Sequence, residues 1–549
     1  MRSGVKVAVV SGVFAVVAGG VGYGAYNVLD GLGDSGVGGG SDAKASSSEV
    51  KTGPVTEDEI AETSKKFLAA WAKGDAADAA GLTNNKGDAE PALAAYGESA
   101  HVTKAVITPG PATGSRVPYT VEATVSYEGR TKPWSYASEL TVVRGLTTGN
   151  PLVDWAPSVI HPELDEGESL ETGESKTASI EAVDRKGNVL TKEKYPSLGG
   201  ILEELREKYG EKAGGTTGIE TWINSASADG PDQTLLTLVK GKPGRVPTTL
   251  DAGIQAAAEK AVKKFDKSSV AAVEPSTGAI RALANNPASG FESARFAAVA
   301  PGSTMKIVTA AMIIQNGLGS ANGPVECPSD VTWLGVPFHN LDNFSMPHPT
   351  LKTAFARSCN TAFIKPVKPL GDKADTALVN EASQYFGIGR NWQAGIKTVD
   401  GSVPPSEGAE TAASYIGQGK IQMNPLNMAS ITATAVNGRF LQPYIVPKEL
   451  DNRKFATASP LPGDVSAQLK QMLRYTATNA EGTATRAMAG VGGDKGAKTG
   501  SAEIGGQATS DSWFTGFSND LAAAALVQSG GHGGDAAGPV VADVLLAGP

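Results

Sequence analysis

From Val246 to Pro549 the chain carries strand signals at both ends and helix signals between them, and this arrangement narrows its fold more than any other feature. "SSVAAVEPSTGAIRALA" reads as a β-hairpin turned at "EPSTG". The far end returns to strands with "GAKTGSAE", "SWFTGFS" and "LAAAALVQSG". Just ahead of the hairpin, Ile254, Ala258, Ala261 and Phe265 recur at helical spacing. Strands contributed by both ends, with helices between, predict one α/β domain whose sheet the two ends share.

A chain of 549 residues is long for one core, so further domains are expected upstream. Thr56 and Glu59 in "TEDE" have the spacing of a capping box, and Ile60, Phe67, Leu68 and Trp71 follow at helical spacing. "YTVEATVSY", "SYASELTVV" and "PLVDWAPSVI" then alternate apolar and polar residues, as half-buried strands do. A helix leading into a curved antiparallel sheet predicts a small α+β domain over residues 55–160. Residues 161–245 mix short strands ("ASIEAVD", "TLLTLVKG") with a helix, "GGILEELREKYG". In "DRKGN", Asp184 to Asn188, Gly187 suits a hairpin turn because it accepts a positive φ. The module from 246 to 549 completes the chain.

The N-terminal end predicts a compartment. Val7 to Leu29 carries no charge, and about 20 apolar residues cross a hydrocarbon core. Arg2 and Lys6 would stay in the cytoplasm and send the rest outward. Residues 1–30 are therefore expected to be a cytoplasmic tip and transmembrane anchor at the cell membrane, with a cleaved signal peptide as the alternative. Either reading leaves the bulk extracytoplasmic. Residues 31–54 are rich in Gly and Ser and predict a flexible linker.

A net charge of −9 without a basic stripe argues against a nucleic-acid partner. The five His are scattered and there is no Cys/His cluster at zinc spacing, so neither a metal nor a cofactor is expected. The two cysteines, Cys327 and Cys359, lie in a compartment that tolerates disulfides. A bond between them would stabilise by about 3 kcal/mol. Two buried thiols is the other reading, and the sequence leaves both open.

Three short patterns carry chemistry. "APGSTMKIVTAAMIIQNG" places Ser303 three residues before Lys306 at the start of an apolar helix, where i and i+3 share a face. A hydroxyl beside a neutral amine is an activated nucleophile that needs no histidine. Taken alone, the same residues also fit a helix cap and a solvated lysine. Ser358 and Asn360 in "FARSCNTAFIKP" reach one pocket only from a turn between helices. Lys498, Thr499 and Gly500 lie on a strand expected to pair with "SWFTGF". Alternation would point Lys498 and Gly500 one way, and Thr499 and Ser501 the other. Gly500 removes a side chain so that a substrate backbone can lie along the strand. Thr499 and Ser501 offer hydroxyls to a carboxylate, and the backbone amides of Ser303 and Ser501 suit an oxyanion hole. Copies elsewhere, such as Lys51-Thr52-Gly53 in the linker and Ser320-Ala321-Asn322, lack these contexts.

In this order, Ser-x-x-Lys, Ser-x-Asn and Lys-Thr-Gly resemble the motif set of the penicillin-recognising acyl-serine transferases. With "IGQGKIQMNPLNMA" and "SWFTGF" added, the chain resembles a class B penicillin-binding protein. Thr56 to Ile160 is similar to the NTF2-like domain of low-affinity, resistance-type members. The resemblance implies a multidomain α+β protein: the anchor, an NTF2-like domain, a dimerisation-type linker domain, and a transpeptidase domain built as a β-lactamase-like α/β sandwich. It implies D,D-transpeptidation of peptidoglycan stem peptides through an acyl-serine, and acylation by β-lactams. By the same likeness Ser303 is the nucleophile and Lys306 the base. Ser358 and Asn360 relay protons and position substrate, and Lys498, Thr499 and Ser501 bind the terminal carboxylate. A glycosyltransferase or a division or elongation complex is the implied partner. The segment "NNPASGFESARFAAVAPGS" lacks the family's usual Asn-Arg pair before the nucleophile. Alternatives are a D,D-carboxypeptidase or β-lactamase, which passes the acyl group to water, and a non-catalytic β-lactam-binding division scaffold.

Overall fold

The computed structural model describes residues 51–225, 232–503 and 507–549. The expected anchor and nearly all of the linker lie outside the described residues. Among the described residues no helix is long and apolar enough to cross a membrane. Lys51-Thr52-Gly53 is exposed and belongs to no strand.

Helix α1 (Glu57–Lys73) starts at the expected box: Thr56 N donates to Glu59 Oε2 at 3.0 Å and Glu59 N to Thr56 Oγ1 at 3.3 Å. It buries Ile60, Phe67, Leu68 and Trp71. After α2 (Lys86–Glu98) come β1 (Val102–Pro109), β2 (Arg116–Tyr127), β3 (Arg130–Arg144) and β4 (Pro151–Val153), an antiparallel sheet in chain order. In β2 the inward positions Val117, Tyr119, Val121, Ala123 and Val125 alternate with exposed ones, as a sheet covered on one face requires. Trp71, Tyr96, Tyr119 and Trp134 pack edge-on and stacked in that core. The same core takes in Leu164, Leu170 and Ile223 from the next segment.

That segment holds β5 (Ser169–Glu174), β6 (Ile180–Val183), α3 (Gly199–Tyr209), β7 (Ile219–Asn224), β8 (Gln233–Val239) and β9 (Gly244–Pro247). Strands β5, β7 and β8 form an antiparallel sheet, and β6 pairs with β9 in parallel. The "DRKGN" turn forms as expected, with Gly187 at φ 87° and Asp184 N donating to Asn188 O at 2.8 Å. Ile201, Leu205 and Tyr209 of α3 share a core with Val246, Leu250 and Ile280, so the segment joins both neighbours.

In the C-terminal part, β10 (Ser268–Val273) and β11 (Ile280–Asn286) pair with β14 (Lys495–Ala502), β15 (Asp511–Ser518) and β16 (Leu521–Val527) in the order β11-β10-β16-β15-β14, antiparallel throughout. The two ends of the module do share one sheet. Helices α4 (Ala252–Val262) and α10 (Ala537–Leu546) cover one face. On the other lie α8 (Pro425–Asn437) and α9 (Gly463–Thr478), while α5 (Lys306–Gln315) packs against both of them. Every residue of β15 and β16 is buried, which is why "LAAAALV" shows no alternation. The middle is not all helix: β12 (Asp330–Trp333) and β13 (Val336–His339) make a hairpin ahead of the short helices α6 (Leu351–Ala356) and α7 (Asn360–Ile364).

Candidate active site

Ser303 lies in a 3-10 turn, Gly302–Met305, and the α-helix begins only at Lys306. The expectation of a serine on the first α-helical turn is corrected by one turn, and the cause is packing. Gly302 has φ 54°, and its N–H donates to Gly417 O at 2.9 Å. A Cβ on Gly302 would come within 2.3 Å of Ser501 O, and one on Gly417 (φ 78°) within 1.9 Å of Gly302 O. Backbone therefore stacks on backbone from Gly417 through Gly302 to β14. Gly500 completes the stack, because its missing side chain is replaced by Pro301 O and the Thr304 amide at 2.9 and 3.0 Å. The space expected for a substrate backbone at Gly500 is filled by the nucleophile turn itself. Gly417→Ala is expected to lower stability by about 2–6 kcal/mol, from a strained φ and overpacking together. Urea unfolding checks it; a loss within 0.5 kcal/mol, the ordinary range for a surface change, would refute the stacking argument.

The Lys306 side chain is fully buried beneath Ser303. Its Nζ lies 2.9 Å from Ser303 Oγ, 2.9 Å from Ser358 O, 2.6 Å from Asn360 Oδ1 and 3.4 Å from Ser358 Oγ. Burial, then the nearby Lys498 charge, hold its pKa well below the ordinary 10.5. A neutral amine has two hydrogens and one lone pair. Ser358 O and Asn360 Oδ1 can only accept, so they take the two hydrogens. In that neutral form the lone pair is left for the Ser303 hydroxyl. Burial of Ile307, Val308, Met312 and Ile313 on the same helix, at about 2 kcal/mol each, offsets the desolvation of the amine.

Ser358 sits in the turn between α6 and α7, at φ 59°, and Asn360 is the first residue of α7, so the break between the helices brings both to one site as their spacing required. Lys498 Nζ, also fully buried, donates to Ser358 Oγ and to Thr499 O, each at 2.8 Å. Burial lowers its pKa to about 7. Ser303, Lys306, Ser358, Asn360 and Lys498 thus form one connected network. In β14 Lys498 pairs with Thr515, Thr499 with Phe514 and Gly500 with Trp513. Thr499 faces away from Lys498 and lies 2.6 Å from the hydroxyl of Thr483.

Sequence reasoning missed two contributors. Asn340 is fully buried after β13. Its Oδ1 accepts from the amides of Asn360 (2.7 Å) and Thr361 (3.2 Å), and its Nδ2 donates to Pro328 O and Phe344 O. Asn360 Nδ2 in turn donates to His339 O at 2.9 Å, which turns Oδ1 toward Lys306. Nothing in "FHNLDN" marks Asn340 out, because its partners are remote backbone groups. Thr483, in "EGTAT", is the second. Cys359, between Ser358 and Asn360, is bonded to Cys327, which decides the open question of the cysteines. Replacing both by serine is expected to lower stability by about 3 kcal/mol through lost loop closure, read by urea unfolding. A pair as stable as wild type would mean that the loop is held by Asn340 alone.

A serine hydroxyl 2.9 Å from a buried lysine amine of lowered pKa, with a second buried lysine on an adjacent edge strand, is an arrangement suited to acyl-serine chemistry. Residues 268–546 match the penicillin-binding protein transpeptidase domain, and residues 59–168 match the NTF2-like N-terminal transpeptidase domain. The chain belongs to the penicillin-binding protein transpeptidase family. It is 29% identical over 354 residues to the peptidoglycan D,D-transpeptidase PbpA of Mycolicibacterium smegmatis, covering 54% of this chain and 71% of that protein. Against PbpA of Mycobacterium tuberculosis H37Rv it is 28% identical over 366 residues, 55% and 72% of the two chains. The fold is similar to that of Pseudomonas aeruginosa PBP2, with a TM-score of 0.53 at 20% identity over 67% of this chain and 96% of that one.

Proposed function

We propose that this chain is a peptidoglycan D,D-transpeptidase that cross-links stem peptides through an acyl-serine at Ser303. The observation that carries the reading is the fully buried Lys306 Nζ, 2.9 Å from Ser303 Oγ, with burial and the Lys498 charge holding its pKa well below the ordinary 10.5. Ser303 gives its proton to Lys306 while Oγ bonds to the carbonyl carbon between the two terminal D-alanines. The amides of Ser303 and Ser501 receive the oxyanion, and the closeness of the two segments, with no room for a Cβ on Gly302 beside Ser501 O, supports that pairing. The C–N bond then breaks and the departing D-alanine takes the proton through Ser358. The amine of a neighbouring stem attacks the ester, and Ser303 recovers its proton. Lys498, Thr499 and Ser501 hold the terminal carboxylate of the stem, or that of a β-lactam.

The proposed organisation is an anchor over residues 1–30, a linker over 31–54, an NTF2-like domain over 55–160, a linker domain over 161–245 and a transpeptidase domain over 246–549. The protein would work outside the cell membrane beside a glycosyltransferase partner. Its test is intact mass of the purified protein after benzylpenicillin, with peptide mapping. One stable adduct on the peptide carrying Ser303 is the expected result. Drug hydrolysed without an adduct would favour a β-lactamase, and drug recovered intact would favour a non-catalytic scaffold.

A further inference from the structure

Beside β14 lies a hydroxyl that none of the three motifs contains. Thr483, in the loop after α9, is exposed, while its neighbour Thr499 is only 7% exposed. The two Oγ1 atoms are 2.6 Å apart. Thr483 Oγ1 is also 3.1 Å from Ala356 O, and Thr483 N donates to that same carbonyl at 3.1 Å. Ala356 ends α6, two residues before Ser358. Thr483 therefore clips the carboxylate-facing side of β14 to the segment that presents Ser358.

Counting hydrogens assigns the clip a task. Each hydroxyl has a single hydrogen, and at 2.6 Å one of the pair must donate to the other. In one arrangement Thr483 donates to Ala356 O and Thr499 donates to Thr483. Thr499 then shows only lone pairs to its remaining surroundings, which repel an anion. In the other, Thr483 donates to Thr499, and Ala356 O keeps the Thr483 amide as its donor. The Thr499 hydrogen is then free to turn toward a ligand. A carboxylate accepting it ends a chain of two polarised hydroxyls, which is stronger than an isolated contact.

We propose that Thr483 is a positioning residue for the terminal carboxylate of the substrate: its hydroxyl donates to Thr499 and so aims the Thr499 hydrogen at the anion. The inference rests on the transpeptidase reading and extends recognition of the anion to a residue outside the motifs. Because the Thr483 amide holds the loop to Ala356 O, removing the hydroxyl leaves the backbone pinned.

The test compares Thr483→Val and Thr483→Ser with wild type, using benzylpenicillin and its neutral methyl ester. Acylation is followed over a concentration series, so that the dissociation constant of the initial complex separates from the acylation rate constant. Thr483→Val is expected to weaken the complex with the acid about tenfold, the scale of a hydrogen bond to a charged group. The rate constant should stay within about twofold, the ester should bind as it does to wild type, and Thr483→Ser should restore the acid. Thr483→Ala gives the same comparison if the valine variant does not fold. Equal losses for acid and ester, no loss for either, or a loss confined to the rate constant would overturn the proposal while wild type still labels at Ser303. Wild type that never labels would overturn the transpeptidase reading along with it.

Discussion

Replacing Ser303 by alanine is expected to abolish covalent labelling by benzylpenicillin, with a loss of at least about 10⁴ in acylation rate, because activated nucleophile and base act as a unit. Among the described residues the competing hydroxyl within reach of both lysines is Ser358 Oγ, at 3.4 Å from Lys306 and 2.8 Å from Lys498. Ser358 accepts from Lys498, and its own carbonyl takes a hydrogen of Lys306, so the lone pair that makes a nucleophile is directed elsewhere. The substitution removes one oxygen at a half-buried position and should leave the melting temperature nearly unchanged. Intact mass with peptide mapping decides the matter. An adduct on Ser358 in Ser303→Ala would mean that the lone-pair assignment is wrong.

The second large effect concerns Lys306. Lys306→Met keeps the length and apolar contacts of the side chain and removes the amine, and acylation should fall by about 10²–10⁴, the usual worth of a positioned base. In wild type the rate should decline on the acid side as the amine gains a proton. Lys498 is charged below about 7 and repels that proton. Lys498→Met should therefore move the acid limb to higher pH, even as it slows the reaction. A limb that stays in place, or moves down, would show that Lys306 is not the titrating base. Stability follows the same signs. Both lysines have folded pKa values below the ordinary 10.5, so the unfolded chain binds more protons between the folded and free values. Their neutral burial contributes most at high pH. That contribution is lost as pH falls from 10.5 through the folded values, which for Lys498 means down to about 7. The stability of wild type relative to Lys306→Met should accordingly rise with pH over that window.

Much of this site was legible because its chemistry is local. Ser303 and Lys306 lie three residues apart, and Lys498 to Ser501 share one strand, so their spacing already suggested which side chains meet, although the pattern alone also fitted a cap and a solvated lysine. The shared sheet was legible for a similar reason, since strand signals at both ends of a module have few other ways to pair. What escaped is non-local. Asn340 acts through the amides of Asn360 and Thr361, and Thr483 through Thr499 and Ala356 O, and no window of sequence contains both partners. The β12–β13 hairpin was read as part of a helical middle, although its end supplies the His339 carbonyl that orients Asn360. Gly500 was assigned to the substrate because its lack of a side chain was visible, whereas the turn that fills the space was not.

The stack of Gly417, Gly302 and Gly500 bears on how such a protein can change over generations. At each of these three glycines an added Cβ would fall within 3 Å of a neighbouring backbone atom, so no graded substitution at them could ease Ser303 away from a drug while keeping it on a substrate. Heritable shifts in discrimination should therefore collect around the stack, at exposed neighbours such as Thr483, and the three glycines should stay invariant while drug selection reshapes the rim.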